Sequence, residues 1–190
     1  MKRTLILGVA SLFSLQALAG WDLDKAGSSV HFVTTKAKDA TEIHEFKGVT
    51  GSIDDKGVAR VEIELASVET LIPIRNKRMR NLLFQTDLFP KAVISAKIPD
   101  SLLSMAAGEI KQQKLPMQVN LHGVSKDLDA EVIVTGLGKG KVMVASKAPV
   151  LVRAADFKLD GGIEALRKIA SLSSIGNTVP VNFTLIYQDS

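Results

Sequence analysis

Alternation of apolar and polar side chains with period two runs through most of this chain and constrains its fold more than any other feature. Val61, Ile63 and Leu65 alternate with Arg60, Glu62 and Glu64. Leu128, Ala130, Val132 and Val134 alternate with Asp129, Glu131 and Thr135. Near the C-terminus Val179, Val181, Phe183, Leu185 and Tyr187 alternate with Pro180, Asn182 and Thr184. Successive side chains of a strand point to opposite faces, so such runs place one face on a core and the other in water, as antiparallel sheets do. Turn chemistry separates them: Asp54-Asp55-Lys56-Gly57, Pro99-Asp100, Gly123 and the Gly136–Gly140 run. The pattern predicts about eight strands, near 21–24, 28–36, 42–53, 58–66, 91–98, 109–122, 127–136 and 141–152, with a ninth near 180–188.

Two stretches break the rhythm. Residues 71–84 predict a short helix or ordered crossover. Residues 161–175 carry Ile163, Leu166, Ile169 or Ala170, and Leu172 on one helical stripe, opened by Gly161-Gly162 and closed by Gly176-Asn177. Many strands, short turns and one or two helical insertions predict an all-β, antiparallel barrel or sandwich rather than alternating strands and helices. No internal repeat or linker interrupts residues 20–190, which read as a single domain.

The first 19 residues stand apart. Lys2 and Arg3, an apolar run from Leu5 to Leu15, and Ala17-Leu18-Ala19 before Gly20 make the pattern of a cleaved secretory signal peptide, too short for a membrane span. The expectation is an exported, periplasmic protein. It has no cysteine, which excludes disulfides, thiolate metal sites and cysteine nucleophiles. The formal charge of +4 includes Lys2 and Arg3, and what remains is too mild for nucleic acid binding.

Catalytic machinery is sparse. His31, His44 and His122 have no metal-ligand spacing, GxSxG is missing, and GLGKG at 136–140 lies between two strands and reads as a hairpin turn. No catalytic residue, metal site or cofactor is expected.

Trp21-Asp22-Leu23-Asp24, Ser67-Val68-Glu69-Thr70 and Leu121-His122-Gly123-Val124-Ser125-Lys126, within residues 21–187, resemble motifs of the YceI-like family of periplasmic polyisoprenoid-binding proteins. Trp21-Asp22-Leu23-Asp24 with Ser28-Ser29-Val30-His31-Phe32 is similar to the family's opening, and Glu45-Phe46-Lys47-Gly48 matches its next region loosely. Ser67-Val68-Glu69-Thr70 followed by Arg75-Asn76-Lys77-Arg78-Met79-Arg80-Asn81 resembles its S-[VI]-x-T…R segment, although Arg78 stands where many members carry His. Phe89-Pro90, Leu121-His122-Gly123-Val124-Ser125-Lys126 and Arg153-Ala154-Ala155-Asp156-Phe157 resemble three later motifs.

The resemblance implies a lipocalin-like barrel that binds or carries an amphiphilic isoprenoid lipid, a quinone or a polyprenyl phosphate. The lipid-contacting candidates are Phe32, Phe46, Leu65, Leu82, Phe84, Ile94, Leu121, Phe157 and Phe183. Aromatic residues make up 5% of the chain, so sparse bulky filler favours a cavity, with small residues such as Thr34, Ala66, Ser95 and Ala145 inside. The basic segment RNKRMR supplies Arg75, Arg78 and Arg80 as head-group candidates. Alternatively Arg75 and Arg80 pair with Glu69 or Asp87 and pin the crossover. The partners entertained are an isoprenoid lipid, transient contact with the inner membrane, and a second copy of the chain. Two other readings stay open: a packed barrel acting as a stress-response or protein-interaction module, and an enzyme using His31 or Arg153 on a small apolar substrate.

Overall fold

The computed structural model describes residues 20–190; the signal peptide expected over 1–19 lies outside them. Twelve strands form one antiparallel sheet. They are β1 (Trp21–Leu23), β2 (Ser29–Lys36), β3 (Ala40–Phe46), β4 (Val49–Ile53), β5 (Val58–Glu64), β6 (Val68–Glu69), β7 (Lys91–Lys97), β8 (Ile110–Leu121), β9 (Val124–Gly138), β10 (Lys141–Ser146), β11 (Val150–Arg153) and β12 (Thr178–Asp189). β1 with β2, β3 with β4, and β10 with β11 are successive halves of long bent strands. Trp21 of β1 meets both Asp189 of β12 and Ile53 of β4. The sheet therefore closes into an eight-stranded up-and-down barrel with no free edge along its closed half.

The register carries the alternation inward as expected. Phe183 faces Val30 across β12 and β2, and Val181 faces Phe32. Several boundaries differ from the sequence expectation. The strand expected over 42–53 breaks at Lys47-Gly48, and β9 begins at Val124, directly after a tight turn at His122 and Gly123, both with left-handed φ. The two-residue β6, which pairs with the end of β3, has no alternating signature of its own.

The connections at the two ends differ. At one end short turns and helix α2 (Asp100–Leu103) close the barrel. At the other lie the hairpin tip at 37–39, the crossover from Thr70 to Pro90, and the segment from Ala154 to Asn177. The crossover holds α1 (Pro73–Arg78), begun by proline at its first position. It runs directly into a π-helical turn, Met79–Phe84. The later segment holds α3 (Asp160–Ile169). This helix is shorter than the expected 161–175: it stops at Ile169, and Ser171 takes left-handed φ of 51°. Gly162 explains how α3 sits so close to the crossover. A Cβ there would stand 2.7 Å from the Leu82 carbonyl oxygen and 2.8 Å from Leu83 Cα, so only glycine fits.

Candidate functional site

The barrel interior is divided. Toward the closed end, Leu102 and Met105 from the α2 connection pack on Leu115, Ala130, Val132 and Val134. Beyond them Leu23, Ile53, Val142 and Tyr187 are also buried. Toward the open end the same inward-facing rows line a cavity of about 480 Å³, within the usual range of small-molecule sites, about 300–1,000 Å³.

The structure brings most of the sequence-chosen residues to this cavity. Phe32, Phe46, Leu65 and Phe84 line it, as do Ile94, Leu121 and Phe183. Leu82 and Phe157 are off its wall. In the π turn, i→i+5 bonding puts Met79 and Phe84 on one face, and Leu83 joins them at the cavity while Leu82 turns aside. Phe157 is fully buried in the surrounding core instead. Of the small residues expected inside, only Thr34 lines the cavity. Ser95 lies on the outward phase of β7, where it borders a shallow outer depression, and Ala145 on the outward phase of β10. Ala66 belongs to a 3-10 turn after β5.

Six polar side chains line the cavity: Thr34, Lys36, Glu42, His44, Arg75 and Arg78. They arise from neighbouring elements. β2 turns Phe32, Thr34 and Lys36 inward, β3 turns Glu42, His44 and Phe46 inward in register with them, and α1 brings Arg75 and Arg78 one turn apart. One carboxylate oxygen organises the group. Glu42 Oε2 accepts from Lys36 Nζ at 2.7 Å and from Arg75 Nη1 at 2.6 Å, and the hydrogen bond from Lys36 and the Arg75 guanidinium hold the Glu42 carboxyl below its usual range. Arg75 Nη2 donates to the Thr70 carbonyl at 2.6 Å, while its Nε is buried without a partner.

His44 is 5% exposed. Its Nε2 lies 3.0 Å from Thr34 Oγ1, and its ring tilts against Phe32 with centroids 5.3 Å apart. Burial, with Arg75 nearby, pushes its pKa below the ordinary imidazole value, so the ring is neutral at pH 7. Its Nδ1 is buried and unpartnered. Sequence reasoning missed both Glu42 and His44. The available signal was phase: they share a face with Phe46, which leaves Ile43, 70% exposed, on the outside.

The three arginines have different surroundings. Arg75 is a pin, but to Glu42 rather than to Glu69 or Asp87. Arg80 does not reach the cavity; it donates to the Ala66 carbonyl at 3.3 Å. Arg78 is half-buried, lines the cavity and makes no salt bridge among the described residues. Glu69 serves the crossover backbone instead. Its Oε1 accepts from Asn76 Nδ2 at 2.9 Å and from the Leu71 N–H at 2.7 Å, and these bonds hold its carboxyl down to about 2. Asn76, itself buried, accepts at Oδ1 from the Thr70 N–H at 2.9 Å and from the Thr70 hydroxyl at 2.6 Å. His31 is on the outer face, 3.8 Å from Glu45, and Arg153 is exposed; neither lines the cavity. Among the described residues no cluster of three or more His, Asp or Glu could hold a metal ion, and no helix is long and apolar enough to cross a membrane.

Residues 21–187 match the YceI-like domain. The structure is similar to a polyisoprenoid binding domain from Saccharophagus degradans implicated in plant cell wall breakdown. That likeness has 37% sequence identity and a TM-score of 0.88, and covers 91% of this chain and 99% of that one. It is also similar in fold to BcnA of Burkholderia cenocepacia, with 17% identity and a TM-score of 0.67, covering 87% of this chain and 99% of that one. No curated protein sequence matches the chain. Motifs, barrel and domain match agree along almost all of the described residues, and the chain belongs to the YceI-like family.

Proposed function

We propose that this protein binds and carries an amphiphilic isoprenoid lipid in the periplasm, with the hydrocarbon in the cavity and the polar head against Arg78, Arg75 and His44. The observation that carries this reading is the distribution of polarity in the cavity: an aliphatic and aromatic lining, with its six polar side chains all on β2, β3 and α1. Burying hydrocarbon contributes about 0.8 kcal/mol per CH₂, so the chain supplies affinity and the polar wall supplies orientation.

The character of that wall sharpens the ligand class. Lys36 and Arg75 share the single carboxylate Glu42, and Arg78 lines the cavity with no salt bridge among the described residues, leaving surplus positive charge toward the cavity. Arg78 is therefore a donor suited to an oxyanion, and charge-assisted hydrogen bonds are the stronger kind. This favours a phosphate-headed isoprenoid over a quinone, which offers only carbonyl oxygens. The likeness to a polyisoprenoid binding domain supports binding rather than catalysis.

Organic extraction of the purified protein followed by mass spectrometry tests the function. A stoichiometric isoprenoid lipid is expected. An extract without lipid, together with failure to take up either polyprenyl phosphate or quinone in reconstitution, would contradict it.

A further inference from the structure

Leu71 is 89% exposed, and its φ of 62° lies in the left-handed region. A leucine there is strained, since only glycine and short polar residues enter this region readily. The strain is held by a clamp. The Leu71 N–H donates to Glu69 Oε1, and Asn76 grips the same oxygen while accepting from Thr70 on the preceding peptide. The clamp thus fixes in water a large apolar side chain whose surface leaves water only if something covers it.

The surroundings indicate what does. Ile72 and Ile74, 42% and 52% exposed, follow Leu71 and also line the cavity; Ile169, 50% exposed, does the same from α3. Apolar surface is thus continuous from the outside of the rim to the interior. The charges bordering it are unequally matched. Glu42 is held by Lys36 and Arg75, and Glu164 by Arg167. Lys77, one turn after Ile74, is exposed and makes no salt bridge among the described residues. On the hairpin tip Lys38 and Asp39 are both exposed and offset each other, so Lys77, with Arg78 at the cavity wall, leaves the border net positive. An exposed apolar cluster with a net positive border suits an anionic lipid surface.

We propose that the open end of the barrel docks on an anionic bilayer surface, with Leu71 inserted below the head groups and Ile72, Ile74 and Ile169 around the cavity mouth. A lipid then passes between bilayer and cavity along an apolar path without crossing water. This rests on the lipid-binding function proposed above, but it is a separate property of the surface. Leu71 does not line the cavity, so it can be changed without touching the ligand site.

The test uses protein expressed from the full chain, sedimented with vesicles of phosphatidylcholine alone or mixed with phosphatidylglycerol, at low and high salt. Lipid content of each protein is measured by extraction in parallel. Wild type is expected to bind the anionic vesicles, to bind the neutral ones more weakly, and to lose binding as salt rises. Leu71→Asn, which suits the left-handed conformation, should bind anionic vesicles about tenfold less. Its melting temperature should be unchanged or higher, and its extracted lipid unchanged. Leu71→Gly provides an independent variant with the same expectation. Failure of wild type to bind anionic vesicles, or equal binding by both Leu71 variants, would overturn the proposal. An extract free of lipid, from protein that still docks through Leu71, would overturn the carrier function and leave the docking surface supported.

Discussion

The two ends of this barrel are built from the same strands, yet one is solid and the other hollow. At the closed end a four-residue helix and the turn after it deliver Leu102 and Met105, 3% and 9% exposed, onto the inward rows of β8 and β9. At the open end the longer insertions rest on the rim and on each other, as at Gly162 against Leu82 and Leu83, so the rows beneath them face a cavity. The difference does not come from a shortage of apolar strand residues at the open end, where Phe32, Phe46 and Phe183 face inward. It comes from where the connections place their side chains. It also explains why the polar side chains can face inward at one end only: Glu42, His44 and Lys36 have hydrogen-bond partners and access to the mouth, which a packed layer would deny them.

The largest expected effects contrast packed with hollow positions. Phe157→Ala removes a fully buried ring and should destabilise by about 3–5 kcal/mol. Phe183→Ala, whose ring already borders empty volume, should lose only about 1–2 kcal/mol, because atoms facing a void forfeit fewer contacts. Urea titration of both variants measures this; equal losses would break the comparison.

Next in size is the clamp of the crossover. Asn76→Ala would strand the buried Thr70 N–H and hydroxyl and release Glu69, an expected loss of about 2–3 kcal/mol. Thermal unfolding shows whether the open end depends on this polar network as the closed end depends on packing.

Arg78→Gln should leave stability within about 0.5 kcal/mol, since Arg78 makes no salt bridge among the described residues. It should weaken a phosphate-headed isoprenoid about tenfold, the loss of one charge-assisted hydrogen bond in a partly solvated site. Uptake of a plain hydrocarbon should not change. Equal weakening of both ligands would remove Arg78 from the head-group wall.

The smallest effect is the dependence on pH. The His44 pKa in the folded protein is below its ordinary value of 6.5, so the unfolded chain takes up a proton at higher pH than the folded one. The stability it contributes is fully present above about 6.5 and is lost as pH falls through the folded value. Denaturant midpoints compared at pH 7.5 and 5.5 should decline for wild type and decline less for His44→Gln.

The barrel was legible because its strands are amphipathic and their turns carry the right residues; Val179 to Tyr187 face inward in the phase the sequence predicts. Seven of the nine apolar site candidates followed from the same phase and the family resemblance. Glu42 and His44 were not legible by hydrophobicity, since β3 has its polar residues inside and Ile43 outside; only the phase of Phe46 and the pairing with Phe32 and Thr34 reveal it. Leu82 failed because a π turn shifts the inward face to Leu83 and Phe84. The early stop of α3 depends on left-handed Ser171, which no side-chain preference announces.

Native mass spectrometry of the intact protein tests the central contrast most directly, with wild type compared to Val181→Phe, which narrows the open-end cavity. The account predicts one isoprenoid lipid per wild-type chain and a folded variant that retains less of it. Wild type with no bound lipid, or a Val181→Phe variant that carries it undiminished, would contradict a ligand held in the hollow half of the barrel.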